Sequence, residues 1–577
     1  MLDTIREAPL GQIIRWMSGS RLLRYPEEEE GFEPPKIVPE TPVNDSATAE
    51  LEQSSKNPDK VDTAEDNPVD LIISRQRSQL YTQERVENDE KLELEKTKSR
   101  PITSHKSADG YVLVDWYSTD DPANPQNWSS TKKMWVLIQI CLYSFAAYAG
   151  SSIYVVSEEG VMNEFGVGHA AAALGLSIYV IGYGISPLLF APLSEIPAIG
   201  RNRVYIPTFF LFVILSIPTA VVQSYGGLLV LRFLQGLFGG PCLANGGASI
   251  GDMYSSLMLP LYLSAWTAAC FWGPAIGPVI AGYAVTAEGW RWSLWELVWM
   301  TAPILVLFFV AVPETSAPNI LRRRAQRLRK LTGRADLRSQ SEIDQANLSV
   351  SSVVWDALIK PVEIMVKDPA VAFTNLYTAL TYGIYYSFFE AFPLVYVDIY
   401  GFNLGELGLT FLTIGVACLI GVSIFNGYLV WYLLPDIQKR GFRAPEHRLV
   451  PALFGVIALP VGYFIFGWTA RASVHWIISM IGVVILVTSN FIIFQCIFVY
   501  LPLSYPQYAA SLFAGNDLFR AAFAAGCVIF SRPMFITLGV SGGVSLLAGL
   551  AVLGVAGMFT LWKFGAALRK RSTFAVK

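Results

Sequence analysis

"APLSEIPAIGRNRVYIP", residues 191–207, interrupts two oily runs, "LGLSIYVIGYGISPLLF" (174–190) before it and "TFFLFVILSIPTAVV" (208–222) after it. Each flanking run approaches the roughly 20 residues that cross a bilayer as a helix at about 1.5 Å per residue. Pro197 and Gly200 permit a tight reversal between them. Glu195, Arg201 and Arg203 place one acid and two cations in that turn. Two spanning helices joined by a short charged turn is the motif from which the rest of the fold is read.

The 577-residue chain repeats this theme. It is 53% hydrophobic and only 15% charged, with a mean hydropathy of +0.41, against about 25% charged for a soluble domain. Twelve spans are expected, at 134–156, 170–190, 204–222, 227–250, 259–284, 292–313, 370–397, 407–431, 449–467, 474–499, 508–531 and 540–565. The division is a cytosolic, largely disordered tail (1–130), a six-helix half (131–313), a polar cytosolic loop (314–369), a second six-helix half (370–565) and a short basic tail (566–577). Residues 26–110 are rich in Glu, Asp, Pro, Ser and Lys, a composition that buries too little to fold alone. Residues 2–24 mix basic and apolar side chains and read either as an interfacial helix interrupted near Pro9 and Gly11 or as a partly ordered tail. They lack the unbroken apolar core of a cleavable signal.

Lysine and arginine set the orientation. With the N-terminus in the cytosol, Arg201, Arg203, the cluster from Arg322 to Arg338, Lys439, Arg440, Arg443, Arg448 and Arg569–Arg571 all fall on the cytosolic side. Both termini are therefore cytosolic, and the sequons at Asn44, Asn127 and Asn347 are expected to stay unmodified. The six cysteines lie in apolar runs and read as small buried hydrophobes.

Catalytic signatures fail on context. "GASIG" (247–251) fits the hydrolase elbow pattern but ends a spanning helix, and no histidine lies in a span interior. "GLFGGPCLANGG" lacks the Gly-Lys-Ser/Thr ending of a phosphate loop. No His, Cys and carboxylate set has metal-ligand spacing along the chain. The chain is expected to be no enzyme, to hold no metal and to need no cofactor.

Intramembrane charge points instead to transport. Arg232 lies a few residues into span four, facing either the bundle interior or, by snorkelling, the outer interface. Arginine stays protonated, so it tunes rather than titrates, and a carboxylate must accompany it. Glu390 in span seven is the leading acid, either a proton or cationic-substrate site or a structural hydrogen-bonding group. Glu296 in span six is a second candidate or an ion-pair partner of Arg291, and Glu158 and Glu159 follow span one. Asp517 and Arg520 share a face of span eleven and pair with each other or across to a neighbouring helix. Gly273, Pro274, Gly277, Pro278 and Gly282 make span five bent and closely packed. Tyr382, Tyr385, Tyr386, Phe388 and Phe389 are candidates to line a cavity for flat apolar compounds.

The stretch "APLSEIPAIGRNRV" resembles the loop 2–3 signature of the major facilitator superfamily. Ala191 stands where glycine is usual, Glu195 where aspartate is commoner, and Gly200 falls two residues late. "LLVLRFLQGLFGGPCLANGG" (228–247) resembles the family's span-four motif, and "FWGPAIGPVIAGY" (271–283) its antiporter Gly-Pro motif. "DPANPQNWSSTKKMW", "VPETSAPNILRRRAQRLRK", "YPQYAASLFAGNDLFRAAFA" and "IREAPLGQIIRWMSGSRLLRYPEE" resemble the fungal twelve-span drug:proton antiporters, in particular the benomyl, fluconazole and toxin exporters. The resemblance implies an all-α transporter fold of twelve helices in two halves. It implies a role for Arg232 in proton coupling, a cytosolic gate at Glu195, Gly200, Arg201 and Arg203, and protons as the coupling ion. The expected activity is proton-driven efflux of apolar or weakly cationic small molecules, such as azole-type antifungals or a self-made toxin, by a monomer in the plasma membrane or an internal one, with no nucleic-acid partner. An importer of a nutrient or polyamine and a non-transporting receptor remain the alternatives.

Overall fold

In the computed structural model the described residues are 2–29, 31–32, 37–38, 104–105, 110–255, 257–345, 350–441, 443–505, 509–572 and 574. Ten helical stretches are long and apolar enough to cross a membrane. The last, Ser511–Arg571, is folded back at Gly539, whose backbone leaves the helical region (φ 71°), and so supplies spans eleven (509–538) and twelve (540–571). Pro369–Phe392, continued by a looser turn to Ile399, is span seven. It falls short of the apolar threshold because it is buried along nearly its whole length and carries Thr374, Asn375, Thr378 and Thr381 toward protein rather than lipid. The observed helices are the twelve expected, in two sets of six.

The remaining spans are Ser130–Ser152, His169–Glu195, Asn202–Val221, Tyr225–Met253, Leu259–Glu288 and Trp292–Ala311 in the first half. Leu404–Arg440, Val450–Thr469 and Trp476–Ser504 are spans eight to ten. Side chains such as Phe210, Ile214, Val306, Leu419, Phe454 and Leu553 are exposed, as a lipid-facing surface requires. All six cysteines are free, and five of them are buried.

The cytosolic side carries a folded cap that sequence reading divided between a disordered tail and a loop. Most of the tail lies outside the described residues, but its two ends are ordered. Leu2–Glu7 and Pro9–Met17 form two short helices, broken at Ala8 as the Pro9 position foretells, with Trp16 and Met17 exposed. Val112–Leu113 pairs in parallel with Leu337–Arg338, beneath the helix Ala317–Thr332. Val112, Val114, Ala325, Leu328 and Leu337 form its apolar centre.

The loop arginines that set the orientation are largely paired within this cap. Arg324 bonds Asp121 at 2.7 Å and approaches Glu27 at 3.2 Å, Arg327 reaches Glu27 at 3.4 Å, and Arg329 meets Glu342 at 2.8 Å. Arg324 and Arg327 thus hold the N-terminal segment to the loop, and Arg329 ties the loop to itself. Burial alone raises the pKa of the Asp121 carboxyl, but the Arg324 bonds outweigh it and hold that pKa below the ordinary 3.8.

Candidate functional site

The loop from which the fold was read is a carboxylate seat. Gly200 has φ +78°, and a Cβ there would lie 2.7 Å from Glu314 Oε2 and 2.8 Å from Asn319 Cγ. Only glycine allows that backbone so close an approach. Glu314 accepts from the backbone N–H groups of Arg201 (2.9 Å) and Asn202 (3.1 Å), the start of span three, where an anion is favoured. The Arg201 side chain donates to Ser194 Oγ at 2.8 Å and pairs with Asp252 at 3.3 Å. Burial disfavours its charge, but Asp252 and then Glu195 more than offset this and hold its pKa above the ordinary arginine value. Arg203 caps the turn by donating to the Ala198 carbonyl at 3.0 Å.

Two expectations change here. Arg201's ion-pair partner is Asp252, at the end of span four, not Glu195, which acts on it at longer range. Moreover, Glu195, Arg201 and Asp252 belong to the first half, and Glu314 opens the loop directly after its last span. The cluster therefore ties spans two, three, four and six to one another and does not bridge the halves. On this side the halves meet at Ser264, which donates to Asn426 Oδ1 at 2.8 Å.

Arg232 is fully buried, which excludes snorkelling to the interface. It donates to the carbonyls of Gly175 (3.1 Å) and Gly150 (2.9 Å) and lies over the rings of Tyr179 and Tyr154 at 4.5 and 4.9 Å. Among the described residues no carboxylate lies within ion-pair distance of it. The expected tuning of a neighbouring acid is thus replaced by a clamp: one cation binds the outer ends of spans one, two and four through carbonyls and ring faces.

The glycines of the span-five Gly-Pro run are closely packed. A Cβ at Gly273 would lie 2.7 Å from the span-one backbone at Ala149 and Phe145, and one at Gly277 2.5 Å from Ser152 Oγ. A Cβ at Gly282 would lie 2.4 Å from the Leu404 carbonyl of span eight. The run thus packs against its own half at one level and against the opposite half nearer the outer surface. Pro274 and Pro278 lie inside this 30-residue helix.

The centre of the molecule is aromatic and polar together. Tyr183 of span two meets the hydroxyls of Tyr382 (2.5 Å) and Tyr386 (3.1 Å) of span seven, and Ser151 meets Tyr386 at 3.3 Å. Tyr385 and Phe389 continue the aromatic surface, with Phe271 of span five 5.7 Å from Tyr385 between centroids. Phe388 is turned away, packing on Tyr463 and Phe466 of span nine. Beside this box, Asp517 and Arg520 form a buried ion pair at 2.6 Å. Arg520 also donates to the Tyr148 hydroxyl of span one at 3.3 Å and lies 4.8 Å from the Tyr382 centroid. Both readings of the pair hold: the two residues bond each other, and the arginine reaches the other half.

Glu390 is buried but does not join this centre. It faces His169 at 3.7 Å, near the outer ends of the helices. Glu296 is half-buried, and Arg291, its suggested partner, pairs with Glu164 instead, at 2.5 Å.

The "Major Facilitator Superfamily" model matches residues 140–516. The chain belongs to the major facilitator superfamily. Among its relatives, "MFS-type transporter pyvG" of Aspergillus violaceofuscus is 41% identical over 577 residues, covering all of both chains. "Fluconazole resistance protein 1" of Saccharomyces cerevisiae is 41% identical over 469 residues, 80% of this chain and 84% of that one. Solved structures show the fold alone. The proton:xylose symporter XylE aligns with a TM-score of 0.53 at 13% identity, over 76% of this chain and 96% of its own. The peptide transporter POT in complex with sulfate aligns with 0.54 at 15% identity, over 76% and 95%. The chain is thus a transporter of small molecules, not an enzyme.

Three carboxylates that the structure partners escaped the sequence reading or were underweighted by it. Asp252 and Glu314 sit in "IGDM" and "VPET", at the ends of spans four and six, with nothing in their spacing to tie them to Arg201. A carboxylate directly after a span is the only signal that marks them. Glu158 was noticed as an outer acid, but the second acid that faces the same His169 is Glu390 of span seven, more than 200 residues away.

Proposed function

We propose that this chain exports apolar or weakly cationic small molecules across the plasma membrane by alternating access, driven by inward proton movement. The observation that carries the reading is the buried Asp517–Arg520 pair, which touches the hydroxyl and ring faces of tyrosines from both halves. Once the halves part, aromatic walls around one compensated charge pair suit flat compounds with a weak positive charge, through ring stacking and the carboxylate. Azole-type antifungals and self-made toxins fit that class, and relatives include proteins named for fluconazole and cycloheximide resistance.

In the mechanism, substrate entering from the cytosol separates the Tyr183 hydroxyl from Tyr382 and Tyr386 and takes their place between the halves. Asp517 is the proton acceptor of the chamber. Protonation neutralises the carboxylate that Arg520 holds, and the freed guanidinium strengthens its contact with Tyr148, so that proton occupancy and substrate occupancy are coupled at one place. Arg232 keeps spans one, two and four moving as one body, and the Gly-Pro run of span five gives the halves a close surface on which to rock.

The test is efflux of a fluorescent apolar dye from host cells lacking their own pumps, with and without a protonophore, comparing wild type with Asp517→Asn. Protonophore-sensitive efflux that is lost in Asp517→Asn, at normal surface expression, supports the reading. Net uptake in place of efflux, or efflux that ignores the protonophore, overturns it.

A further inference from the structure

Three side chains that are distant in sequence converge where the halves meet at the outer surface. Glu158 opens the short helix after span one, His169 is the first residue of span two, and Glu390 lies two to three turns from the outer end of span seven. His169 Nε2 lies 3.5 Å from Glu158 Oε2 and 3.7 Å from Glu390 Oε2, and one ligand atom from each residue lies within 4.8 Å of the others. Glu158 and Glu390 are 6% and 2% exposed, and the Oε1 atom of each is buried with no hydrogen-bond partner. Buried carboxylate oxygens in a native protein have partners, so these two orphans ask for one. His169 is about a quarter exposed and opens the cluster to the outside.

The geometry points to a divalent transition-metal site of the zinc class, formed by His169 Nε2 and the carboxylates of Glu158 and Glu390. A tetrahedral zinc ion with ligand bonds of about 2.0–2.2 Å sets its ligand atoms about 3.4 Å apart. The two nitrogen–oxygen separations already match that edge, and only the two carboxylates must draw together. One imidazole with two carboxylates suits zinc better than magnesium, which prefers an octahedral shell of oxygens. The fourth position faces solvent past His169.

The consequence follows from connectivity. Glu158 and His169 belong to the first half and Glu390 to the second. An ion bound by all three pins the outer seam closed and stops the rocking that carries substrate out. External zinc is therefore a brake on transport, a property separate from the identity of the substrate.

The experiment uses full-length purified protein in lipid nanodiscs, titrated with zinc chloride against a fluorescent zinc chelator. The expected result is one zinc ion per chain, bound at least tenfold more weakly by His169→Ala and by Glu390→Gln, with binding retained by His169→Cys, which keeps a zinc ligand. Absence of zinc binding in the wild type, or equal binding by wild type and His169→Ala, overturns the site. In cells, external zinc chloride but not magnesium chloride is expected to slow dye efflux, reversibly on chelation. Each variant is compared with its own zinc-free rate, and inhibition is lost in His169→Ala. Intact binding with zinc-insensitive efflux overturns the brake. The binding arm needs no substrate, so it stands or falls independently of the export reading.

Discussion

Replacing Gly200 with alanine tests how the loop between spans two and three is built. The residue sits at φ +78°, where a side chain costs about 1–2 kcal/mol. The new Cβ would lie 2.7 Å from Glu314 Oε2 and 2.8 Å from Asn319 Cγ, well inside van der Waals contact. Glu314 must then withdraw, weakening its bonds to the N–H groups of Arg201 and Asn202, now 2.9 and 3.1 Å. A hydrogen bond to a charged group is worth about 1.5–3 kcal/mol, so loss of one brings the total to about 3–5 kcal/mol. That is a large fraction of the stability of an ordinary domain. The assay is thermal unfolding of the purified transporter, followed by fluorescence-detected size exclusion. Gly200→Ala is expected to melt several degrees lower and to reach the cell surface in smaller amount. Gly200→Ala combined with Glu314→Ala removes the clash with Glu314 along with the carboxylate, and leaves the one with Asn319, so its cost falls short of the two single costs added together. A Gly200→Ala protein that melts like wild type, or strict additivity in the double variant, refutes the seat.

Other perturbations follow from the same structure. Arg232→Lys loses the forked contact with the Gly150 and Gly175 carbonyls and the two ring faces, and is expected to destabilise by about 2–4 kcal/mol in the same melting assay, a much larger effect than a surface Arg→Lys change. Gly282→Val drives a side chain into the Leu404 carbonyl and is expected to cost about 1–3 kcal/mol and open the outer seam, read as faster labelling of a cysteine placed beneath it. In the cap, Arg324→Ala leaves Asp121 buried and unpaired at a cost of about 3–5 kcal/mol, read as earlier proteolysis of residues 1–130. The pH dependence of that contact has a definite sign. Asp121 has a depressed folded pKa, so its stabilisation is complete above the ordinary 3.8 and is lost as pH falls below it; cap proteolysis should be flat across cytosolic pH and rise only under stronger acid.

Much of the architecture was legible because a bilayer imposes a strong rule: the spans are long, apolar and separated by charged turns. Span seven was found from its position and length, although its threonines, Asn375 and tyrosines make it the least lipid-like, since most of its surface faces protein. The site was legible only in part. The Gly-Pro run and the pair at Asp517 and Arg520 are local in sequence, and both do what local spacing implied. The partners of Arg201, Arg232 and Glu390 are set by helix packing across tens to hundreds of residues, which spacing does not encode. Arg232 lies among carbonyls and rings rather than beside an acid, and Glu390 faces His169 rather than the central tyrosines. The cap was hidden for a different reason: its arginines read as an orientation signal, and their counter-charges, Glu27 and Asp121, come from opposite ends of a long tail.

The central claim is that substrate and protons move in opposite directions through one chamber. Its most direct measurement is proton flux in liposomes containing the purified protein and an entrapped pH-sensitive dye, with an exported compound added to one side only. Substrate-dependent proton movement against the direction of substrate flow, present in wild type and absent in Asp517→Asn, is the result predicted. Proton movement in the same direction as substrate, or substrate flux with no proton movement at all, would contradict it.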